Sequence, residues 1–342
     1  MNIRHIAQKA GVSVATVSRV LNHPESVATA TKEKIEAIIA QEEYTPNWFA
    51  RGLNFNKTAT IGLMIPHIMN PMHMEIAKGV EDVAQHKDYT TFMCNVEDNV
   101  EKEKQYLENL IKRRVDGIVF ISSLLGEKDL CIADEQGIPV VMIGENRETL
   151  KYPVVRVDCQ NAAYEATKHL LEIGHHDIAM LYGKKPEIEN RQKIEGYKTA
   201  LKEAGIAVND EFIISVENTI EGGYLGGKKY IDMEKRPQAV FATSDLLAFG
   251  VIDAMKDNDI SVPKEMAVIG FDNIRMSNLI EPKLTTVEKP LHKMGVLGAR
   301  LLFDMIESKE KEEKQPPKEI LLQAKLKIRK SCGHKERIGE MF

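Results

Sequence analysis

The chain has 342 residues, 43% hydrophobic and 28% charged, which fits a globular protein too long for one core, so two or three domains are expected. No apolar run reaches the roughly 18 residues of a membrane span, and the opening MNIRHIAQKAGVS lacks the continuous apolar stretch of a secretion signal, so a cytoplasmic protein is expected. The net charge of -5 excludes a chain that coats nucleic acid throughout, yet residues 1–57 carry seven basic against five acidic side chains while the remainder is acidic; that sign favours an anionic partner for the N-terminal piece.

The first 45 residues carry three short helical patterns and no strand pattern. Ile3, Ile6, Ala7 and Ala10 recur at helical spacing until Gly11 breaks the run. Ser13 then offers an N-cap to a second helix carrying Val14, Val17, Val20 and Leu21. A third helix is predicted from Thr29–Thr31, with Ile35, Ile38 and Ile39 on one face. Helix, glycine-containing turn, helix and supporting helix is the helix-turn-helix arrangement. In it the second helix enters the major groove, and here Ala15, Thr16, Ser18, Arg19 and Asn22 are left outside. Arg19 can fork to guanine, Val14 and Ala15 can touch a thymine methyl, and the hydroxyls suit phosphate oxygens. A plain helical hairpin fits the same spacing.

Residues 46–62, PNWFARGLNFNKTATIG, place Trp48, Phe49 and Leu53 where a linker should be polar. Beyond them, TIGLMIP, TTFMCNV, DGIVFIS and PVVMIG alternate with helical patterns, and DIAMLYG, EFIISV, AVFATS and MAVIGFD form a second such series. That rhythm predicts two doubly wound α/β lobes of parallel sheet, with ligands bound at the carboxyl ends of the strands across a cleft. The chain is expected to cross between the lobes near 154–161 and again near 284–290. ESKEKEEKQPP (307–317) reads as a solvated helix end and loop.

IRHIAQKAGVSVATVSRVLNH, followed by YTPNWFARGL and TATIGLMIP, resembles the lactose-repressor (LacI/GalR) family of bacterial transcription regulators. The resemblance runs essentially end to end, through HLLEIGHHDIAMLYG, KIEGYKTALKEAG, FATSDLLAFGVIDAM, VPKEMAVIGFDN and PKLTTVEKP. It implies an all-α helix-turn-helix headpiece (1–45), a hinge helix and linker (46–57), and an α/β core of two doubly wound lobes like that of periplasmic binding proteins. The first lobe is expected at 58–158 plus 288–318, the second at 159–287 plus 319–332, and a tail at 333–342. The implied protein is an effector-responsive repressor of carbohydrate-utilisation genes that binds a pseudo-palindromic operator as a homodimer. A tetramer is left open, and the implied location is the bacterial cytoplasm and nucleoid.

By position, Ser13, Val14, Ala15, Thr16, Ser18, Arg19 and Asn22 match DNA-contacting sites of the family, and Pro46, Asn47, Ala50 and Leu53 match its hinge helix, whose Leu wedges into the minor groove. The implied effector is a sugar or sugar phosphate, with Met72, His73, Arg191, Lys193, Ser244, Asp245 and Asp272 as its expected contacts. An N-cap role fits Asp245 equally. The sequence departs from the family in Pro71-Met72-His73, where aromatic side chains often stack on the effector, and in Lys193, where many members carry Arg. Lysine cannot replace arginine's planar fork, so either a different engagement of the ligand or a ligand other than a typical sugar is expected. Lys193 also resembles a catabolite-control-type regulator, which answers to a phosphorylated carrier protein.

Other motifs weigh little. The adjacent histidines of GHHD (174–177) are poorly placed to face one metal ion, and EGGYLGG (221–227) lacks the order of a phosphate loop. Cys94, Cys131, Cys159 and Cys332 form no CxxC pair, so neither a zinc cluster nor a disulfide framework is expected. No GxSxG, HExxH or kinase-type signature occurs, so neither an enzyme nor a cofactor is expected. The rival from another class is a sugar-binding protein whose N-terminal helices merely mediate assembly.

Overall fold

The computed structural model describes residues 2–22, 24–42, 57–144, 151–184, 187–310 and 318–334. Two compact units divide the chain, Met1–Ala59 and Thr60–Phe342.

In the first unit, α1 (Ile3–Ala10), α2 (Val14–Asn22) and α3 (Thr29–Gln41) surround one small core. Asn2 opens α1 by accepting the His5 N–H at 3.1 Å, and Gly11 closes it at φ 65°, a left-handed conformation that glycine adopts without Cβ strain. Ser13 then starts α2, its Oγ accepting the Thr16 N–H at 3.1 Å. Ile6, Ala7, Ala10, Val17, Val20 and Ile35 form the core, with Ile3, Val12, Leu21, Val27, Ile38 and Ile39 packed against it. Val14, counted among the periodic apolar positions of α2, is 41% exposed and faces away from this core.

The second unit holds two six-stranded sheets. The chain runs β1 (Thr60–Ile65), α4 (Pro71–His86), β2 (Thr90–Asn95), α5 (Val100–Lys112), β3 (Gly117–Ile121), α6 (Glu127–Glu135), β4 (Val140–Ile143) and β5 (Val154–Val157). It continues through α7 (Cys159–Glu172), β6 (Ile178–Gly183), α8 (Glu187–Glu203), β7 (Ile213–Val216), α9 (Ile220–Ile231), β8 (Ala239–Ala242), α10 (Asp245–Lys256), β9 (Ala267–Asp272) and β10 (Thr285–Glu288), then α11 (Leu291–Glu310), β11 (Glu319–Leu322) and β12 (Lys325–Lys327). The strand orders are β11-β5-β4-β3-β1-β2 and β12-β10-β9-β8-β6-β7. Pairing is parallel except for β12, which runs antiparallel to β10. Every strand of the two predicted series is present, and the parallel order with helical crossovers is the doubly wound architecture expected.

The lobe boundaries need one correction. Glu319–Leu322 was expected in the second lobe, but it pairs in parallel with Val154–Val157 and so completes the first-lobe sheet. Arg156 and Glu319 bridge the two strands through their side chains. The chain thus crosses a third time at residues 323–324, before β12 joins the other sheet.

Glycines set the closest helix contacts. A Cβ on Gly79 would lie 2.1 Å from the His292 carbonyl and one on Gly295 2.0 Å from that of Ile76, so α4 and α11 approach backbone to backbone. EGGYLGG serves the same purpose: a Cβ on Gly223 of α9 would lie 2.3 Å from the Leu247 carbonyl of α10, and one on Gly250 2.0 Å from that of Ile220. The glycine-rich stretch is a helix-packing face, and its composition follows from that closeness.

Candidate DNA-reading helix and effector cleft

The headpiece presents one side of α2. Val17 and Val20 are buried, Thr16 and Ser18 are half-buried, and Ala15 and Arg19 are exposed with Val14. The Ser13 hydroxyl also bonds the Thr16 hydroxyl at 2.9 Å, which fixes the first turn of the helix at the end that meets base edges in a helix-turn-helix unit. The Asn22 side chain and the four hinge residues, Pro46, Asn47, Ala50 and Leu53, lie outside the described residues.

In the core, the expected effector residues come from carboxyl ends of strands and the helix starts that follow them, except Arg191 and Lys193, which lie within α8. Asn70 caps α4 by accepting the Met72 N–H at 3.0 Å, which sets Met72 and His73 in its first turn. His73 Nδ1 lies 3.0 Å from the His67 carbonyl, and burial lowers the pKa of the ring to about 4, so it is neutral at physiological pH. Asp272 ends β9 with φ 111°, followed by Asn273 at φ 57°, two non-glycine residues in the left-handed region at one strand end. Such strain persists only where the surroundings enforce it and clusters at ligand sites.

Four buried charges meet there. Glu189 of α8 lies 2.8 Å from Lys193 Nζ and 3.1 Å from Lys289 Nζ. Lys289 Nζ is 3.7 Å from Asp272 Oδ1, beyond hydrogen-bond reach, and 3.7 Å from the Met72 sulfur. Lys193 also donates to the Thr243 carbonyl at 2.9 Å and sits 3.9 Å from the centre of the Phe271 ring. Burial alone would raise the Glu189 carboxyl, but the two ammonium groups hold it well below the usual carboxylate range. Asp272 behaves oppositely, because burial outweighs the lysines and pushes its carboxyl up to about 6. Its Oδ1 is buried without a hydrogen-bond partner among the described residues.

Comparison with known proteins identifies the family. The profile described as "Bacterial regulatory proteins, lacI family" matches residues 2–47, and that described as "Periplasmic binding proteins and sugar binding domain of LacI family" matches residues 58–330. The chain belongs to the LacI family of transcriptional regulators. It is 36% identical to Catabolite control protein A of Priestia megaterium over 88% of this chain and 91% of that one. It is 35% identical to the HTH-type transcriptional regulator RegA of Clostridium saccharobutylicum over 91% and 94%. Among solved structures, a LacI family regulator from Enterococcus faecium with bound ribose superposes with a TM-score of 0.73 at 31% identity, over 80% of this chain and 98% of that one. A DNA-binding headpiece joined to a sugar-binding-type core sets aside the rival in which the N-terminal helices only mediate assembly, and the family is one of regulators rather than enzymes. No described helix is long and apolar enough to cross a membrane.

Within the LacI frame, two expected contacts need correction. Arg191 is exposed; it stands about 200° round α8 from the buried Lys193 and joins no part of the charge cluster. Asp245 is fully buried, accepting the Ile274 N–H at 2.8 Å and the hydroxyls of Ser277 and Thr286, so it ties the turn after β9 to β10. Nor is it the N-cap of α10. That is Ser244, whose Oγ accepts the Leu247 N–H and donates to Asn218 at 2.6 Å.

Sequence reasoning missed Glu189 and Lys289. The first was within reach, since it stands four residues before Lys193 on one helix, the spacing of an ion pair. Lys289 had no such local signal, because its partner is 100 residues away. The histidines of GHHD separate as expected, His175 buried and His176 exposed. Among the described residues no group of three or more His, Cys, Asp or Glu is arranged to hold a metal ion.

Proposed function

We propose that this regulator is a cytoplasmic repressor, associated with the nucleoid, that binds a pseudo-palindromic operator as a homodimer and is switched by a small sugar-like effector in the cleft of its core. The observation that carries the effector reading is Asp272: a strained strand end presents a buried carboxylate oxygen that lacks a donor among the described residues. A sugar hydroxyl supplies such a donor. Met72, His73 and Ser244 lie at strand ends and helix starts and Lys193 within α8, and the ribose bound by the Enterococcus faecium relative supports a carbohydrate ligand.

Exposed apolar side chains support the dimer. Ile220 and Leu225 on α9, with Met276 and Leu279 after β9, stand out from one lobe, and Met74, Phe92 and Met93 stand out from the other; Leu225 is 61% and Leu279 80% exposed. Exposed apolar side chains are available for association, and a two-fold dimer would present two copies of α2 to two operator half-sites. Val14, Ala15 and Arg19 are the proposed base readers, with Ser13, Thr16, Ser18 and Asn22 on base edges and phosphates. Pro46, Asn47, Ala50 and Leu53 are the proposed hinge, with Leu53 as the minor-groove wedge.

Selecting genomic fragments bound by the purified protein tests this reading. Recovery of a pseudo-palindrome beside carbohydrate-utilisation genes, with a gel shift that weakens steeply with salt, is the expected result. A gel shift insensitive to salt, or fragments sharing no inverted repeat, would refute it. The self-paired lysines and the 36% identity to Catabolite control protein A favour a second reading, in which a phosphorylated carrier protein is the signal. Tightened operator binding on adding such a phosphoprotein, with no response to free sugars, would support that alternative.

A further inference from the structure

Two lysines in a sugar-binding-type cleft suggest, at first sight, a site for a phosphorylated sugar. Their surroundings argue otherwise. Lys193 and Lys289 share Glu189 at 2.8 and 3.1 Å, and Asp272 lies 3.7 Å from Lys289, so two ammonium groups face two carboxylates and the cluster has no net charge. All four side chains are at most 8% exposed. Lys193 commits further protons to the Thr243 carbonyl and its charge to the face of Phe271. His73, held neutral by burial, adds no cation, and Arg191 is exposed elsewhere on its helix.

We infer that the cleft takes an uncharged polyol and rejects its phosphorylated form, with Glu189 as the residue that imposes this choice by neutralising both lysines. The inference rests on the effector reading given above and narrows it. A hydroxyl brought to Asp272 Oδ1 satisfies the one buried oxygen of the cluster that lacks a donor. A phosphate brought to the same place meets two carboxylates in a poorly solvated setting, and both nearby cations are already paired. Removing a charged oxygen from water without a free cation to receive it is strongly unfavourable.

The test uses the full-length protein, with thermal melts and calorimetric titration. The probes are inorganic phosphate, D-ribose 5-phosphate and D-ribose, followed by other pentoses and hexoses paired with their phosphates, against chloride controls of matched ionic strength. Wild type is expected to respond saturably to a free sugar and to neither phosphate probe. E189Q keeps the shape of the side chain and releases both ammonium groups; it should bind inorganic phosphate about tenfold or more tightly than wild type does. That gain should vanish when Lys289→Met is added. If E189Q does not fold, Asp272→Asn leaves the cluster with one uncompensated positive charge and should likewise gain phosphate binding while losing the free-sugar response.

A wild-type protein that binds ribose 5-phosphate or inorganic phosphate saturably, with loss on Lys289→Met, overturns the charge assignment and leaves the cleft as the effector site. If no free sugar in the panel acts and Asp272→Asn changes no ligand response, the effector reading fails, and this inference fails with it.

Discussion

The reading helix of the headpiece and the cleft of the core carry function in opposite ways. On α2 the proposed base-reading side chains stand outside a core of six small aliphatic residues, so they contribute little to holding the fold. At the proposed effector site the charged side chains are themselves buried, and the ionisation of Glu189 and of Asp272 is set by burial and by the neighbouring charges. A surface that reads DNA is free to vary without unfolding its scaffold. A buried polar site is not, because every partner removed leaves a desolvated charge behind.

The largest effect that separates the two regions is expected from Lys289→Met. It leaves Glu189 with one cation and takes from Asp272 the ammonium 3.7 Å away, and removal of one partner from a buried pair costs about 3–5 kcal/mol. Urea denaturation should show that loss, and adding Glu189→Gln should recover part of it. A loss below about 1 kcal/mol would mean that the cluster behaves like a surface ion pair, and the contrast would collapse.

His73 gives the next effect, through pH. Burial first, and then the charge of Lys289, hold its folded-state pKa near 4, below the ordinary 6.5, although the His67 carbonyl works the other way. Its contribution to stability is complete above pH 6.5 and is lost as the pH falls toward 4, because the unfolded chain takes up a proton that the folded one refuses. Asp272 acts in reverse over nearly the same interval, since its raised pKa makes stability fall as the pH rises toward 6. His73→Gln removes only the first trend. On going from pH 6.5 to 4.5 the variant should therefore gain about 2 kcal/mol relative to wild type, read from denaturation midpoints at the two pH values. A constant difference across that range would show that His73 does not titrate differently in the two states.

The same contrast explains what the sequence made legible. Helical periodicity, Gly11 and Ser13 are local signals, and they located the start of each headpiece helix to within a residue or two. The parallel strands were legible too, because a strand buried on both faces reads as an uninterrupted apolar run, as in GIVFI and AVIGFD. Pairing across the fold was not. Asp245 is held by groups 29, 32 and 41 residues away, and nothing beside it in the chain announces them. β11 alternates exposed and half-buried positions, so its composition carries no mark of which sheet it completes. Arg191 and Lys193 were grouped by closeness in sequence, whereas helical geometry turns them apart.

Back on the reading helix, Arg19→Ala should leave the thermal melt of the protein unchanged, since the side chain is exposed. It should weaken specific DNA binding by about 1–3 kcal/mol and relax preference at one operator position. Operator selection with the variant measures both, and an unaltered preference would remove Arg19 from base recognition.

Ser13→Ala is the smallest change and bears on the comparison most closely, because Ser13 belongs to the scaffold as well as to the reading surface. Its hydroxyl accepts the Thr16 N–H at 3.1 Å and bonds the Thr16 hydroxyl at 2.9 Å, so alanine leaves one amide of the first turn without its cap. The expected loss is about 1 kcal/mol in the headpiece, seen as faster hydrogen exchange at the Thr16 and Val17 amides with no change in core amides. DNA binding should weaken too, because Val14, Ala15 and Thr16 project from the turn that the cap holds. If exchange quickens while binding and operator preference stay as they were, the hydroxyl is a cap alone, and the reading surface begins at Val14.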